Sequence, residues 1–146
     1  MNNMLKNDKN KKILLLSPPF YRLMGSHYNG LSLGLSYIAG ILRKNGYEAK
    51  IYNADYLNND SYLNQRQLFE GYENYKQILN DIEHPIWHEI KEKITEFAPD
   101  YIGINMYTAT YKSAKNIAHI AKEISQDIKV IVGGTHPSLD PVSTLQ

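Results

Sequence analysis

Four short apolar runs, each stopped by a turn-forming or polar residue, recur in order along the chain. They are ILLLSPPF from Ile13, LSLGLSYIAGILRKNGYEAKIYNAD from Leu31, PDYIGINMYTATY from Pro99 and KVIVGGTHPS from Lys129. Apolar runs alternating with helical patterns specify a parallel α/β sheet. Ligands of such sheets bind beyond the carboxyl ends of the strands. The polar stops are therefore the candidate binding loops.

The first strand is expected over 12–17, where Ile-Leu-Leu-Leu is apolar at every position, as in a strand covered on both faces. Pro18 and Pro19 end it, because proline cannot continue a central ladder. Residues 20–30 form a loop broken by Gly25 and Gly30. A helix is expected over 32–45, with Leu31, Leu35, Ile38, Ile41 and Leu42 on one apolar face. Arg43 and Lys44 suit its carboxyl end, and Asn45-Gly46 stops it. The second strand spans 49–52 and closes in Asn53–Asp55. The middle, 56–97, is longer than one crossover helix needs, so two or more helical pieces are expected. Ile86, Ile90, Ile94 and Phe97 make one side of the last piece; Trp87 and the tyrosines of the middle suit either the core, which is the expectation, or a surface covered by a missing partner. A turn at Ala98–Asp100 leads to the third strand, 101–106. A helix over 110–125 buries Ala114, Ile117, Ala118, Ala121 and Ile124. The fourth strand covers 129–132 and ends in Gly133-Gly134. An open sheet of this type commonly has a fifth strand. None follows here, so the sequence reads as a piece of something longer.

The 146 residues suffice for one domain with a real core. A net charge of +1 makes no electrostatic case for nucleic acid or an anionic membrane. With no cysteine, the chain holds no disulfide, thiolate metal site or iron–sulfur cluster of its own. The apolar stretches are too short to span a bilayer. The lysine-rich start lacks the apolar centre of a signal peptide. The expectation is a cytoplasmic domain over 12–146 behind a disordered tail, 1–11.

The loop after the first strand offers Ser17, Pro18, Pro19, Phe20 and Tyr21. It contains neither Gly-x-Gly-x-x-Gly nor a P-loop, so the usual nucleotide phosphate seats are missing. The third strand ends in Asn105 rather than aspartate, which argues against a phospho-acceptor domain. Asn105, Tyr107, Thr108 and Thr110 bring amide and hydroxyl hydrogen bonds to the mouth of the sheet. Thr108 or Thr110 also suits the N-cap of the following helix. After the fourth strand, Gly133 and Gly134 remove side chains where a bulky planar ligand approaches, and Thr135 and His136 follow. Those glycines are equally compatible with a simple turn, and Pro18-Pro19 with a stiff one. His27 and His136 are the histidines of the binding loops, and a lone histidine is more often a hydrogen-bonding residue than a ligand. Asp55 is placed to meet a ribose hydroxyl, but without the glycine fingerprint that role is not expected. His84 and His88, separated by Pro85, are read as structural or exposed. No catalytic triad, carboxylate pair or metal spacing emerges.

Together these loops resemble the N-terminal cobalamin (vitamin B12)-binding domain of class B radical SAM proteins. The resemblance rests on the Pro18-Pro19 pair, Leu33-Gly34-Leu35-Ser36-Tyr37-Ile38-Ala39, Gly46-Tyr47-Glu48-Ala49 and Asp55. It rests also on Pro99-Asp100-Tyr101-Ile102-Gly103-Ile104-Asn105 and Gly133-Gly134-Thr135-His136-Pro137. It covers nearly all of the chain after residue 12. It implies a flavodoxin-like, doubly wound parallel sheet with the corrin over its carboxyl edge and the nucleotide tail entering between strands one and four. Ser17, Pro18, Pro19, Phe20, Asn105, Tyr107, Thr108, Thr110, Gly133, Gly134, Thr135 and His136 are then the cofactor-binding residues. The Asp-x-His-x-x-Gly motif of methionine-synthase-like domains is absent, so histidine ligation of cobalt is not expected from the first loop. Asn105 stands where the family usually has serine. The resemblance further implies a downstream radical SAM domain carrying a 4Fe–4S cluster and S-adenosylmethionine. On that reading this chain holds and orients the cofactor and does not catalyse alone. Two other readings stay open: the nucleotide-binding half of a two-domain glycosyltransferase, and a non-binding relic of the fold whose aromatic stretch, Tyr62 to Trp87, packs on a neighbouring domain.

Overall fold

The computed structural model describes residues 10–59 and 62–144. The expected tail, 1–11, lies outside the described residues except for Asn10 and Lys11. Four parallel strands, β1 (Lys12–Ser17), β2 (Glu48–Asn53), β3 (Tyr101–Asn105) and β4 (Lys129–Gly133), form one sheet in the order β2-β1-β3-β4. Helices flank both faces, which gives the doubly wound α/β fold. α1 (Leu33–Lys44) packs on one face. α4 (Pro85–Phe97) and α5 (Tyr111–Ile124) pack on the other. The crossover from β2 to β3 also contains α2 (Gln65–Glu70) and α3 (Tyr72–Asn80), so the described residues of the long middle hold three helices. After β4 come two short helices, α6 (Thr135–Leu139) and α7 (Pro141–Thr144).

The strand pattern divides the core in two. Leu14 and Leu16 of β1 and Ile102 and Ile104 of β3 point to the α4–α5 side and are buried there. α4 matches them with Ile86, Trp87, Ile90, Ile94 and Phe97, a helical stripe that is wholly buried. The Trp87 indole donates to the Ile78 carbonyl at 3.0 Å, so its one polar atom is satisfied inside the core. His84 caps α4 by accepting the Ile86 N–H on its Nδ1, Pro85 occupies the first turn, and Ala98 ends the helix at φ +48°. His88 stays exposed, 3.4 Å from Glu83. Both histidines are thus structural or exposed, as their spacing suggested.

On the α1 side the cover is incomplete. Cross-strand rows Ile51–Leu15–Gly103–Ile131 and Ala49–Ile13–Tyr101–Lys129 share that face. α1 covers only the β1–β2 half, through Leu35 and Ala39 with Leu42 beside them. The apolar face expected from Leu31, Leu35, Ile38, Ile41 and Leu42 is only partly covered. Leu35 is buried and Leu42 partly so, whereas Leu31, Ile38 and Ile41 are exposed, as is Ile131 on β4. Helical periodicity correctly gives an apolar arc, but that arc is wider than the half-sheet beneath it.

No helix among the described residues is long and apolar enough to cross a membrane.

Candidate functional site

At the carboxyl edge the α1-side face ends in Asn53, Ser17, Asn105 and Gly133, one small or polar residue per strand. Below this lip the face becomes apolar at Leu15, Gly103 and Ile131. The result is an open cleft of about 1360 Å³ running from the sheet's mouth down its bare half. α1 supplies one wall with Leu33, Gly34 and Ile38, and the loop after β1 supplies another with Phe20, Tyr21 and Tyr28. Because β3 lies between β1 and β4, a tail entering between those two strands must cross β3 at Gly103 and Asn105. Glycine at 103 keeps the floor low there.

The two closing glycines of β4 differ. A Cβ on Gly133 would meet nothing within 4 Å, so this residue opens onto the cleft. Gly134 sits at φ +111° with its Cβ position 2.6 Å from Asn105 Oδ1 and 2.8 Å from the Met106 carbonyl oxygen. Its role is a close approach of the β4 exit to the β3 exit, sealed by Met106 N–H donating to Gly133 O at 2.7 Å. Asn105 Nδ2 donates to the Tyr107 hydroxyl at 3.3 Å.

Of the residues singled out from sequence, Ser17, Pro18, Phe20, Asn105, Tyr107, Thr110, Gly133 and Gly134 line the cleft. Pro19, Thr108, Thr135 and His136 do not. Pro19 is fully buried, and its carbonyl accepts the Ser113 hydroxyl at 2.9 Å. Thr108 pairs with His136 Nδ1 at 3.2 Å, and the His136 ring leans on Tyr111. The Nε2 atom of His136 is buried without a partner among the described residues, as is that of His27 beneath the Tyr62 ring. Thr110 stands at the N-cap of α5, yet its hydroxyl bonds back to Tyr107 and makes no cap. Neither threonine caps that helix, contrary to expectation. Gly103, Ile131, Tyr28 and the outer residues of α1 were missed as lining. Their signal is the register of neighbouring strands, which one sequence does not display.

The loop after β1 is held by a network anchored at β2 and α4. Asp55 Oδ1 accepts the N–H of Phe20 at 2.7 Å and of Arg22 at 3.0 Å. Burial pushes its carboxyl up, against the lowering effect of those backbone bonds. Arg22 forks onto Glu89 at 3.1 and 2.7 Å and also reaches the Ala54 carbonyl. The Tyr52 hydroxyl donates to Glu89 at 2.6 Å. Burial and that bond raise the Tyr52 hydroxyl far above its ordinary value. The Arg22 hydrogen bond holds Glu89 below the usual carboxylate range. A group with a lowered folded-state pKa stabilises above its ordinary value, and this contribution is lost as pH falls through the folded value. Glu89→Gln is accordingly expected to cost about 1 kcal/mol at pH 7, since Arg22 is nearly buried while solvent screens the half-exposed carboxylate. Urea unfolding of both proteins should show that gap shrinking below the ordinary glutamate value of 4.5. A gap independent of pH would remove the charge from the explanation.

Among the described residues no cluster of three or more His, Asp or Glu side chains is placed to hold a metal ion. Comparison with known proteins agrees with the architecture. The chain is 28% identical over 139 residues to an uncharacterized methyltransferase of Pyrococcus horikoshii, covering 92% of this chain and 24% of that protein. It is 29% identical over 102 residues to the anaerobic magnesium-protoporphyrin IX monomethyl ester cyclase of Rubrivivax gelatinosus, covering 70% of this chain and 14% of the cyclase. It is 28% identical over 120 residues to the cytidylyl-2-hydroxyethylphosphonate methyltransferase of Streptomyces wedmorensis, covering 77% and 20%. The chain thus spans less than a quarter of the length of the curated relatives it matches. No solved structure matches it significantly. The family model described as the B12 binding domain matches residues 25–146, which includes α1, the three strands after β1 and the loops that follow them. The chain belongs to the B12 binding domain family.

Proposed function

We propose that this domain holds cobalamin in the cleft, with the corrin over the carboxyl edge and the nucleotide tail along the floor crossed by Gly103. The support is the gradation of the cleft itself: a lip of Ser17, Asn105 and Gly133 above an apolar floor at Leu15 and Ile131. A flat macrocycle with a heterocyclic tail needs a wide, side-chain-poor mouth and an apolar slot. The open space at Gly133 supplies the first and the bare half of the sheet the second. Ser17 and Asn105 would donate to and accept from the polar groups of the tail, and Phe20, Tyr28 and Tyr107 would flank the macrocycle. When bound, cobalamin supplies methyl-transfer or radical chemistry, and the chain's contribution is to orient it.

The protein in which this domain works is, on the same reading, a cytoplasmic radical SAM enzyme with methyl transfer as its reaction class. Two of the relatives are named as methyltransferases, and the motifs resemble those of class B radical SAM proteins. The 4Fe–4S cluster and S-adenosylmethionine would belong to a separate radical SAM domain, since this chain has no cysteine. A further strand and helix would cover the free edge of β4 and Ile131. The stretch Tyr62 to Trp87 divides: Tyr75 and Trp87 are core, while Tyr62, Phe69 and Tyr72 stay exposed and available to a neighbouring domain.

The deciding experiment is titration with hydroxocobalamin followed by gel filtration and visible absorbance. A corrin spectrum that is retained and shifted is expected. A protein that elutes colourless at saturating hydroxocobalamin, both as this chain and within its full-length parent, would sink the proposal.

A further inference from the structure

We propose that Asp55 is the positioning residue of the cleft: its carboxylate fills the anion seat made by the backbone of the loop after β1, and so turns that loop's aromatic side chains, rather than its amides, toward the ligand.

In nucleotide-binding α/β domains the amides that follow the first strand cradle a phosphate. Here the N–H groups of Phe20 and Arg22 converge on one oxygen, Asp55 Oδ1, at 2.7 and 3.0 Å. The carboxylate comes from the end of β2 and is buried. The fit is reinforced along the junction. Tyr28 N–H donates to the Asp55 carbonyl at 2.9 Å, Asn53 Nδ2 donates to the Tyr28 carbonyl at 2.8 Å, and Asp55 N–H donates to Asn53 Oδ1 at 3.0 Å. Phe20, Tyr21 and Tyr28 are consequently fixed as a wall, with Phe20 edge-on to Tyr21 at 5.2 Å and Tyr21 near Tyr28 at 6.0 Å. An internal carboxylate in that seat also repels any ligand phosphate, so the loop discriminates against nucleotides whose phosphates need those amides. The second half of this role, fixing the wall for a corrinoid, rests on the cofactor reading above. The first half does not.

The test is chemical rescue. In Asp55→Ala the seat is empty, and formate can enter it. Amide resonances of Phe20 and Arg22, followed by NMR, should shift saturably with formate in Asp55→Ala and stay still in the wild type, with chloride as the control. Hydroxocobalamin affinity should fall by about tenfold to a hundredfold in Asp55→Ala, the size expected for losing charge-assisted hydrogen bonds, and recover with formate. A folded Asp55→Ala whose Phe20 and Arg22 amides ignore formate would overturn the seat. If the wild type retains hydroxocobalamin and Asp55→Ala does so equally well, the positioning role is overturned. A wild type that binds no hydroxocobalamin would defeat the cofactor reading and the wall's role with it, while the amide shifts still decide the seat. Should Asp55→Ala not fold, Asp55→Asn decides: its neutral oxygen must move the Phe20 and Arg22 amides upfield, and unchanged amides would overturn the proposal.

Discussion

Gly133→Phe is expected to lower hydroxocobalamin affinity by about a hundredfold while leaving the urea midpoint nearly unchanged. The side chain would point into open space, since a Cβ at this position meets nothing within 4 Å. Gly133 is in β4, where an aromatic residue suits the extended backbone. The folded protein alone therefore has no reason to resist the change, and substitutions of that kind usually stay within about 0.5 kcal/mol. A ligand crossing the lip meets a ring where it had room, and overfilling a site of fixed shape costs about 1–3 kcal/mol, with the upper end near a hundredfold. Titration and urea unfolding of the same preparation check both halves. Undiminished affinity would move the ligand away from the β4 end of the cleft.

One residue on, the same kind of substitution should act on the fold instead. Gly134→Ala is expected to destabilise by about 2–4 kcal/mol, a fall of about 10 °C in Tm. The cause is twofold. Its φ of +111° with ψ of −166° lies in a region that side chains rarely adopt. Its Cβ would also collide with the Met106 carbonyl oxygen and Asn105 Oδ1, of which the first is backbone and cannot move aside. Differential scanning calorimetry gives the reading. A Tm within a degree or two of the wild type would mean that the two strand exits can separate without cost. Loss of cobalamin retention in Gly134→Ala says little about contact with the ligand, whereas loss in Gly133→Phe speaks to contact directly.

The strands and their order of polar stops were legible because each is a short apolar run bounded by proline, glycine or asparagine. The end of α1 was legible for a local reason too: Asn45-Gly46 stops the helix, and Gly46 takes φ +89°. Local chemistry ceased to suffice wherever a partner distant in sequence decides the outcome. The Phe20–Asp55 bond spans 35 positions and Arg22–Glu89 spans 67, and nothing near either residue announces its partner. The apolar arc of α1 was readable, but its division into a covered half at Leu35 and an open half at Ile38 depends on how much sheet lies beneath it. Gly133 and Gly134 are identical letters that only backbone angles tell apart. His136 looked like a loop residue facing the ligand, and its partner Thr108 lies 28 positions away on a neighbouring loop.

The unequal cover of the two faces has a consequence for amide exchange. Leu14, Leu16, Ile102 and Ile104 sit beneath two helices and a continuous core, so the amides of β1 and β3 should open only with the whole domain. Among the described residues β4 has a strand on one side only, and its α1-facing residues are all exposed. Its outward amides should exchange through small local openings, with α1 freer than α4. A ligand that binds the cleft only when these openings are closed would draw them toward the global value by mass action. On the cofactor reading proposed above, the half of the molecule that is least protected when empty would be the half that gains most on filling, and cofactor uptake would double as the last step in consolidating the sheet.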